Sequence, residues 1–400
     1  MTPKNNKELL SLSGRELYNL IPEEKVNSIQ KFIHEMNRRE FLVRFDKSIS
    51  FDGFKHESDE DFFGTGFIVE GRSVPYFHPN RSFHDEIIWL NENVFYNDDC
   101  NFADKLINAA IVKFYGPSNT ISLITADTGR DHIVYDSLVN DEEYVLKLMK
   151  NIENASRRGQ KIYGTTELRT SLQTESRNYT RNIVTPYDKL IGESAQPTRQ
   201  SRVSDMLYWF TMLGPLFKDF YSKKPTMEES FDFLTSFRGI GNYYGYHFST
   251  NLARMPEVGT KDLLRPGSIE GNLSENDDFV APGVGAMIAV NWFYENLGFS
   301  VNSIVGAKLI RWIRDNQDEF FDFTGVNKKI LNTVSETGQF TTFGCEISCC
   351  QFGVFLRLRE SKKMALNRSN APISKESIGE TCEADGTPIV AEDYTTANLF

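Results

Sequence analysis

The sequence predicts a mainly helical fold with small β or loop insertions. Three observations carry that expectation. Apolar residues recur three or four apart over several long stretches, the spacing of a helix with one buried face. Residues that start and stop helices stand at the ends of those stretches. β-Branched sequence is concentrated in 119–136, enough for one short strand pair.

From Pro22 to Met36, the residues Val26, Ile29, Ile33 and Met36 share a face, and Arg38, Arg39 and Arg44 follow at its end. Residues 47–85 lose the period, fill with Gly, Asp, Ser and Pro, and read as a long loop or short hairpins. A second helix covers about 102–114 (FADKLINAAIVKF). Helical period returns at 141–156, where Val145, Leu148, Met149 and Ile152 share a face. Asp141, Glu142 and Glu143 suit the positive end of that helix dipole. The polar stretch 164–201 reads as a linker or an active-site loop. Leu207 to Phe220 is a strongly apolar helix, and Thr226 with Glu229 three residues on is a capping box for the next. That helix ends at Phe237-Arg238-Gly239-Ile240-Gly241, and another begins at once. Further helices cover about 282–297 and 303–317, and 361–400 reads as a polar tail. The expected division is an N-terminal helical part (1–201), a second part sharing its core (202–360), and the tail.

Composition narrows the class. With 400 residues, 40 % hydrophobic and 25 % charged, the chain can bury a sizeable core, and 31 Phe and 16 Tyr make that core aromatic. No stretch reaches the roughly 18–20 apolar residues that span a bilayer, so no membrane partner is expected. The polar start lacks a signal core, which predicts a cytoplasmic protein, or one inside a host cell if viral. Cys100, Cys345, Cys349, Cys350 and Cys382 form an odd, clustered set without finger or iron–sulfur spacing, so buried free thiols are expected and no metal site. The net charge of −11 argues against nonspecific DNA coating, while the basic residues of 157–181 and 357–368 leave room for a local positive groove.

The run FLTSFRGIGNYYGYHFSTNLA (233–253) sets two glycines one residue apart between two helices, a helix-hairpin-helix pattern. A turn that tight favours glycine, and the second helix then points its first amides outward. Gly239, Gly241 and Asn242 are therefore candidates to hold a DNA phosphate, with the helix dipole in support. A plain αα-hairpin fits the same residues. Gly245 lets the two helices approach closely. Gly283 and Gly285 form either a second backbone turn facing phosphate or a close packing contact. Tyr243 and Tyr244 are candidates to stack on a base, though aromatics at this spacing also serve a core. His247 reads as an ordinary helix residue. Asp278, at a helix start, is either a catalytic carboxylate or an N-cap.

The hairpin, then Asp278, then a helix closing in Leu297-Gly298 together resemble the helix-hairpin-helix DNA glycosylases. Tyr243 stands where the lyase-type members keep Lys, and the iron–sulfur cysteines are absent, so lyase activity is not expected. A longer series stands in order between about 30 and 360: Asn37-Arg38-Arg39, Asn93-Val94-Phe95-Tyr96, Gly159-Gln160-Lys161-Ile162-Tyr163-Gly164, Gly239-Ile240-Gly241, Asp278 with Ala281-Pro282-Gly283-Val284-Gly285-Ala286, and Cys345-Glu346. This series resembles the glycosylase-like family of DNA base hypermodification proteins, which comprises phage 5-hydroxymethyluracil DNA kinases and glutamyl/putrescinyl-thymine pyrophosphorylases.

The resemblance implies a DNA-glycosylase-like helical fold, with DNA and a nucleoside triphosphate as partners. It implies phosphoryl transfer to a hydroxymethylated pyrimidine in DNA, with ATP and its companion Mg2+ as cofactors. Asp278 is then the carboxylate, and Arg38, Arg39 and Arg44 hold the triphosphate. Tyr96 stands where an Arg is usual, and the usual Gly-Pro-Gly-Ala has become Pro-Gly-Val-Gly-Ala. No Walker-type run is present. A monofunctional DNA glycosylase and a non-enzymatic viral structural or nucleic-acid-associated protein remain open. Oligomeric state is not legible.

Overall fold

The computed structural model describes residues 2–45, 68–69, 72–73, 85–115, 119–160, 199–255, 257–258, 279–321 and 340–370. They are mainly helical. The N-terminal helices are α1 (Asn6–Ser11), α2 (Gly14–Asn19) and α3 (Glu23–Phe45). Two-residue strands β1 (Ile68–Val69) and β2 (Arg72–Ser73) pair antiparallel within the stretch read as loop or hairpins. Next come α4 (Asp85–Leu90), which runs into a π-helical turn, then α5 (Phe102–Tyr115), α6 (Asn119–Thr125), α7 (Tyr135–Asn140) and α8 (Glu142–Arg157). The remainder is α9 (Arg199–Ser222), α10 (Met227–Thr235), α11 (Asn242–Leu252), α12 (Val284–Phe293), α13 (Ser303–Asp315), α14 (Gln317–Phe321) and α15 (Thr342–Asn370). Among the described residues no helix is long and apolar enough to cross a membrane.

Local chemistry sets many of the boundaries. The Thr226–Glu229 capping box forms as the sequence predicts, and a second, Ser13–Glu16, starts α2. Asn302 caps α13 through its side chain. The expected strand pair at 119–136 is instead helical at both ends. Ile121 and Ile124, three apart, are both fully buried, and Asn151 of α8 donates to the Ile124 carbonyl at 3.0 Å. Burial against α8 outweighs the β preference of those branched residues. Asn108 of α5 then clamps the Ile133 backbone from both sides, at 2.8 and 2.9 Å. Helix α15 also continues to Asn370, ten residues into the segment expected as a tail.

Among the described residues the core forms two apolar clusters. One gathers α1–α3 with α12–α15, through Leu17, Phe32, Val290, Phe293, Ile310, Phe352 and Phe355. The other gathers α4–α10, through Val94, Ile111, Ile121, Leu148, Trp209, Phe217 and Leu234. Helix α11 belongs to both: Tyr246 and Ala253 sit in the first, while Tyr244, Phe248 and Leu252 sit in the second. The hairpin α10–α11 therefore lies along the seam. Cys345, Cys349 and Cys350 are buried free thiols in the first cluster, pushed up in pKa by desolvation.

Candidate functional site

The hairpin turn is built by one glycine and opened by another. After α10 ends, the Ile240 amide donates to Phe237 at 3.1 Å, and Gly239 takes φ +95°, in the left-handed region that favours glycine. Gly241 is the N-cap of α11 with φ −85° and ψ 175°, an extended conformation open to any residue. This corrects the expectation that both glycines are needed for the turn angles. A side chain at 241 would meet nothing within 4 Å, and Gly241 and Asn242 are exposed. No cap side chain accepts from the first amides of α11, so its positive end faces outward. Behind the turn, a Cβ at Gly245 would meet Thr235 Cγ2 at 2.7 Å, so the glycine is what allows α10 and α11 to close up.

The second residue of α11 begins an inward-leading cluster. Tyr243 is half-buried, and the ammonium of Lys113 (α5) lies 5.6 Å from its ring centroid. Lys113 is itself 3 % exposed and pairs with Glu86 at 3.8 Å. One turn along α11, the His247 ring packs 4.2 Å from Tyr243 and 5.2 Å from Phe343. Asn251 near the end of α11 and Arg254 just beyond it are buried polar residues.

The start of α12 closes the cluster. Phe279 packs against Phe231 and Tyr246, at 5.3 and 5.9 Å, and leads the chain to Gly283, the N-cap of α12. The Gly283 amide donates to Glu346 Oε1 of α15 at 3.0 Å. Glu346 is completely buried, and among the described residues its Oε2 has no hydrogen-bond partner. Burial pushes its carboxyl up to about 7, against the downward pull of the Gly283 bond. A side chain at 283 would stand 3.4 Å from Glu346 Oε1 and 4.0 Å from Tyr243, so ring and carboxylate converge on one point.

The structure thus joins some of the sequence candidates and separates others. Gly241, Asn242, Tyr243 and Gly283 share one region. Gly285 does not belong to a phosphate-facing turn: it is buried, and a Cβ there would meet Cys350 Sγ at 2.5 Å. Its missing side chain serves the crossing of α12 and α15. Tyr244 is 3 % exposed within the second cluster and is a core residue rather than a stacking platform. Asp278 lies outside the described residues, as do the side chains of Arg38, Arg39 and Arg44 in the last part of α3. Lys113 and Glu346 are the charged groups that sequence reasoning missed. Glu346 had a signal, the Cys345-Glu346 pair, but no role; Lys113 was one polar residue in an amphipathic helix. His247, read as an ordinary helix residue, stands beside both aromatic walls.

The family model described as "5-hmdU DNA kinase, helical domain" matches residues 80–364. That span includes the hairpin, Lys113, Gly283 and Glu346, and excludes α1–α3. No curated protein and no solved structure matches the chain.

Proposed function

The chain belongs to the family of the 5-hmdU DNA kinase helical domain, and on that premise we propose that it modifies a hydroxymethylated pyrimidine in DNA by nucleotide-dependent phosphoryl transfer. The observation that carries the reading is the placement of an open helix start beside an inward-leading aromatic and charged cluster. The amides at Gly241 and Asn242 hold a DNA phosphate. A base next to that phosphate leaves the stack, which costs a few kcal/mol, and rests against Tyr243.

In the transfer, the hydroxymethyl oxygen attacks the γ-phosphorus of ATP, and the bond from that phosphorus to the β-bridging oxygen breaks. The hydroxyl proton passes to the Asp278 carboxylate, giving a phosphomonoester on the base and ADP. Arg38, Arg39 and Arg44 neutralise the triphosphate. Mg2+ would accompany the triphosphate and shield its charge.

Incubation with γ-labelled ATP tests the proposal. Label should enter DNA containing 5-hydroxymethyluracil and not the same DNA containing thymine. Asp278→Asn should lower the rate about 10²–10⁴-fold, the usual contribution of a positioned base. Release of free base without label would favour a glycosylase. No turnover, together with large assemblies in solution, would favour a structural protein.

A further inference from the structure

We infer that α9 is built as two rods that flex at Gly214-Pro215, and that the Tyr135 hydroxyl is the latch that holds them in line. The device belongs to the fold and is independent of the phosphoryl transfer proposed above.

The backbone sets the weak point. An α-helical amide donates to the carbonyl four residues back, and proline has no N–H. Pro215 lies inside α9, so the Thr211 carbonyl receives no amide from it. The Tyr135 hydroxyl of α7 donates to that same carbonyl at 3.4 Å. This is long for a hydroxyl bond, so the latch is weak and easily released. Gly214 makes the approach possible, because a Cβ there would overlap the Tyr135 phenol. The missing amide, the missing side chain and the incoming hydroxyl thus meet on one turn of the helix.

Packing differs on the two sides of that turn. Beyond it, Phe217 packs on Phe233, Phe237 and Phe248 at 5.5, 5.8 and 6.4 Å. The Tyr221 hydroxyl bonds Ser230 Oγ at 3.0 Å, and Ser230 bonds Ser249 Oγ at 2.8 Å. The C-terminal rod is therefore bolted to both helices of the hairpin. Before the turn, Trp209 and Leu213 seat the N-terminal rod in the second cluster. At the turn itself Met212, Pro215 and Leu216 are exposed, so no described element braces the outer side. On the inner side a cavity of about 10 Å³ lies between Tyr135, Gly214 and Phe217 and the small Ala103 and Ala110 of α5. That gap holds about one water-sized sphere and gives the bend room to form toward α5.

Bending of two rigid rods breaks only the hydrogen bonds that cross the pivot. Those run from the amides of Leu216, Phe217 and Lys218 to the carbonyls of Met212, Leu213 and Gly214. Residue-resolved hydrogen exchange along α9 tests this. In wild type, protection at 216–218 should fall below that at 212–214 and at 219–221. Tyr135→Phe removes the latch and should speed exchange at 216–218 by about 2–10-fold, the worth of one neutral hydrogen bond. Pro215→Ala supplies the missing amide and should slow the same three sites at least about 10-fold. In that background Tyr135→Phe should have no further effect, because Thr211 then has its helical donor. Equal protection along 212–221 in wild type would overturn the inference, and that measurement needs no variant to fold. An unchanged rate at 216–218 in Tyr135→Phe would overturn it too. So would a rise spread evenly over α5, α7 and α9, which marks lost core packing and not a released latch.

Discussion

Gly239-Ile240-Gly241 and Gly283-Val284-Gly285 are the same pattern in sequence, yet the fold uses them in opposite ways. Each pair supplies the N-cap of a helix, but in a different register. In the first pair the second glycine is the cap, so the first falls in the turn at φ +95°. In the second pair the first glycine is the cap, so the second falls inside helix α12. The first turn then opens outward, with nothing near Gly241. The second is covered by α15, which brings Glu346 to one glycine and Cys350 to the other. A Gly-x-Gly spacing fixes where backbones can bend or approach. What stands opposite decides whether the gap is a site or a packing contact.

The largest effect should come from the covered pair. Gly353 of α15 faces Gly285, and a methyl there would fall inside the Gly285 carbonyl oxygen and 3.2 Å from the Ala289 amide. Both obstacles are backbone, so the helices themselves must part. Gly353→Ala should cost at least about 3 kcal/mol, the upper end of ordinary overpacking. Urea unfolding gives the measurement. An unchanged midpoint would mean that the two helices do not cross this closely, and the contrast between the two glycine pairs would lose its basis.

Glu346 offers a second test of the covered pair. A carboxyl whose pKa rises from 4.5 unfolded to about 7 folded keeps its proton longer in the fold. Stability is therefore full below about 4.5 and falls as pH rises to about 7, by about 3 kcal/mol at roughly 1.4 kcal/mol per unit. Glu346→Gln stays neutral and can keep the Gly283 bond. Its stability should not fall in that window, and at pH 8 it should exceed wild type by up to about 3 kcal/mol. A difference between the two proteins that fails to grow from pH 5 to pH 8 would place the carboxylate in water.

These contrasts show what could be read from the sequence. Period and capping located the main helices, because a buried stripe and a cap are local facts: Val145, Leu148, Met149 and Ile152, or Thr226 with Glu229. The hairpin was legible for the same reason. The 119–136 error arose where local preference lost to packing against α8. The site was half legible. Tyr243 and Gly283 stood in motifs, but their neighbours Lys113 and Glu346 come from α5 and α15, far away in sequence. No spacing rule reports a partner on another helix. Tyr244 and Tyr243 look equivalent in sequence and both pack on the second cluster, and only depth separates them: Tyr244 is buried inside it and Tyr243 half-buried at its edge.

The exposed pair gives smaller effects, and it tests itself internally. Gly239→Ala forces an L residue to φ +95° and should cost about 1–2 kcal/mol in urea unfolding. A cost near zero would show that the turn tolerates a side chain at 239 and is not glycine-dependent.

Gly241→Val should change stability least and DNA binding most. Valine reaches φ −85° and ψ 175° without strain and meets no neighbour, so the loss should stay within about 1 kcal/mol for a poorer helix cap. The new side chain would nonetheless fill the space in front of the first α11 amides. If a DNA phosphate sits there, affinity should drop about 10-fold, the worth of roughly one hydrogen bond to a charged group. The amides carry no net charge, so no cation is lost and the slope of affinity against salt should stay the same, unlike the loss of a lysine contact, which changes it by about 0.9. Anisotropy across a salt series, with Gly239→Ala alongside, separates these outcomes. Lower affinity at every salt with a parallel slope supports the phosphate seat. Unchanged affinity in a folded Gly241→Val protein would make the hairpin a structural turn, and the two glycine pairs would then differ in exposure alone.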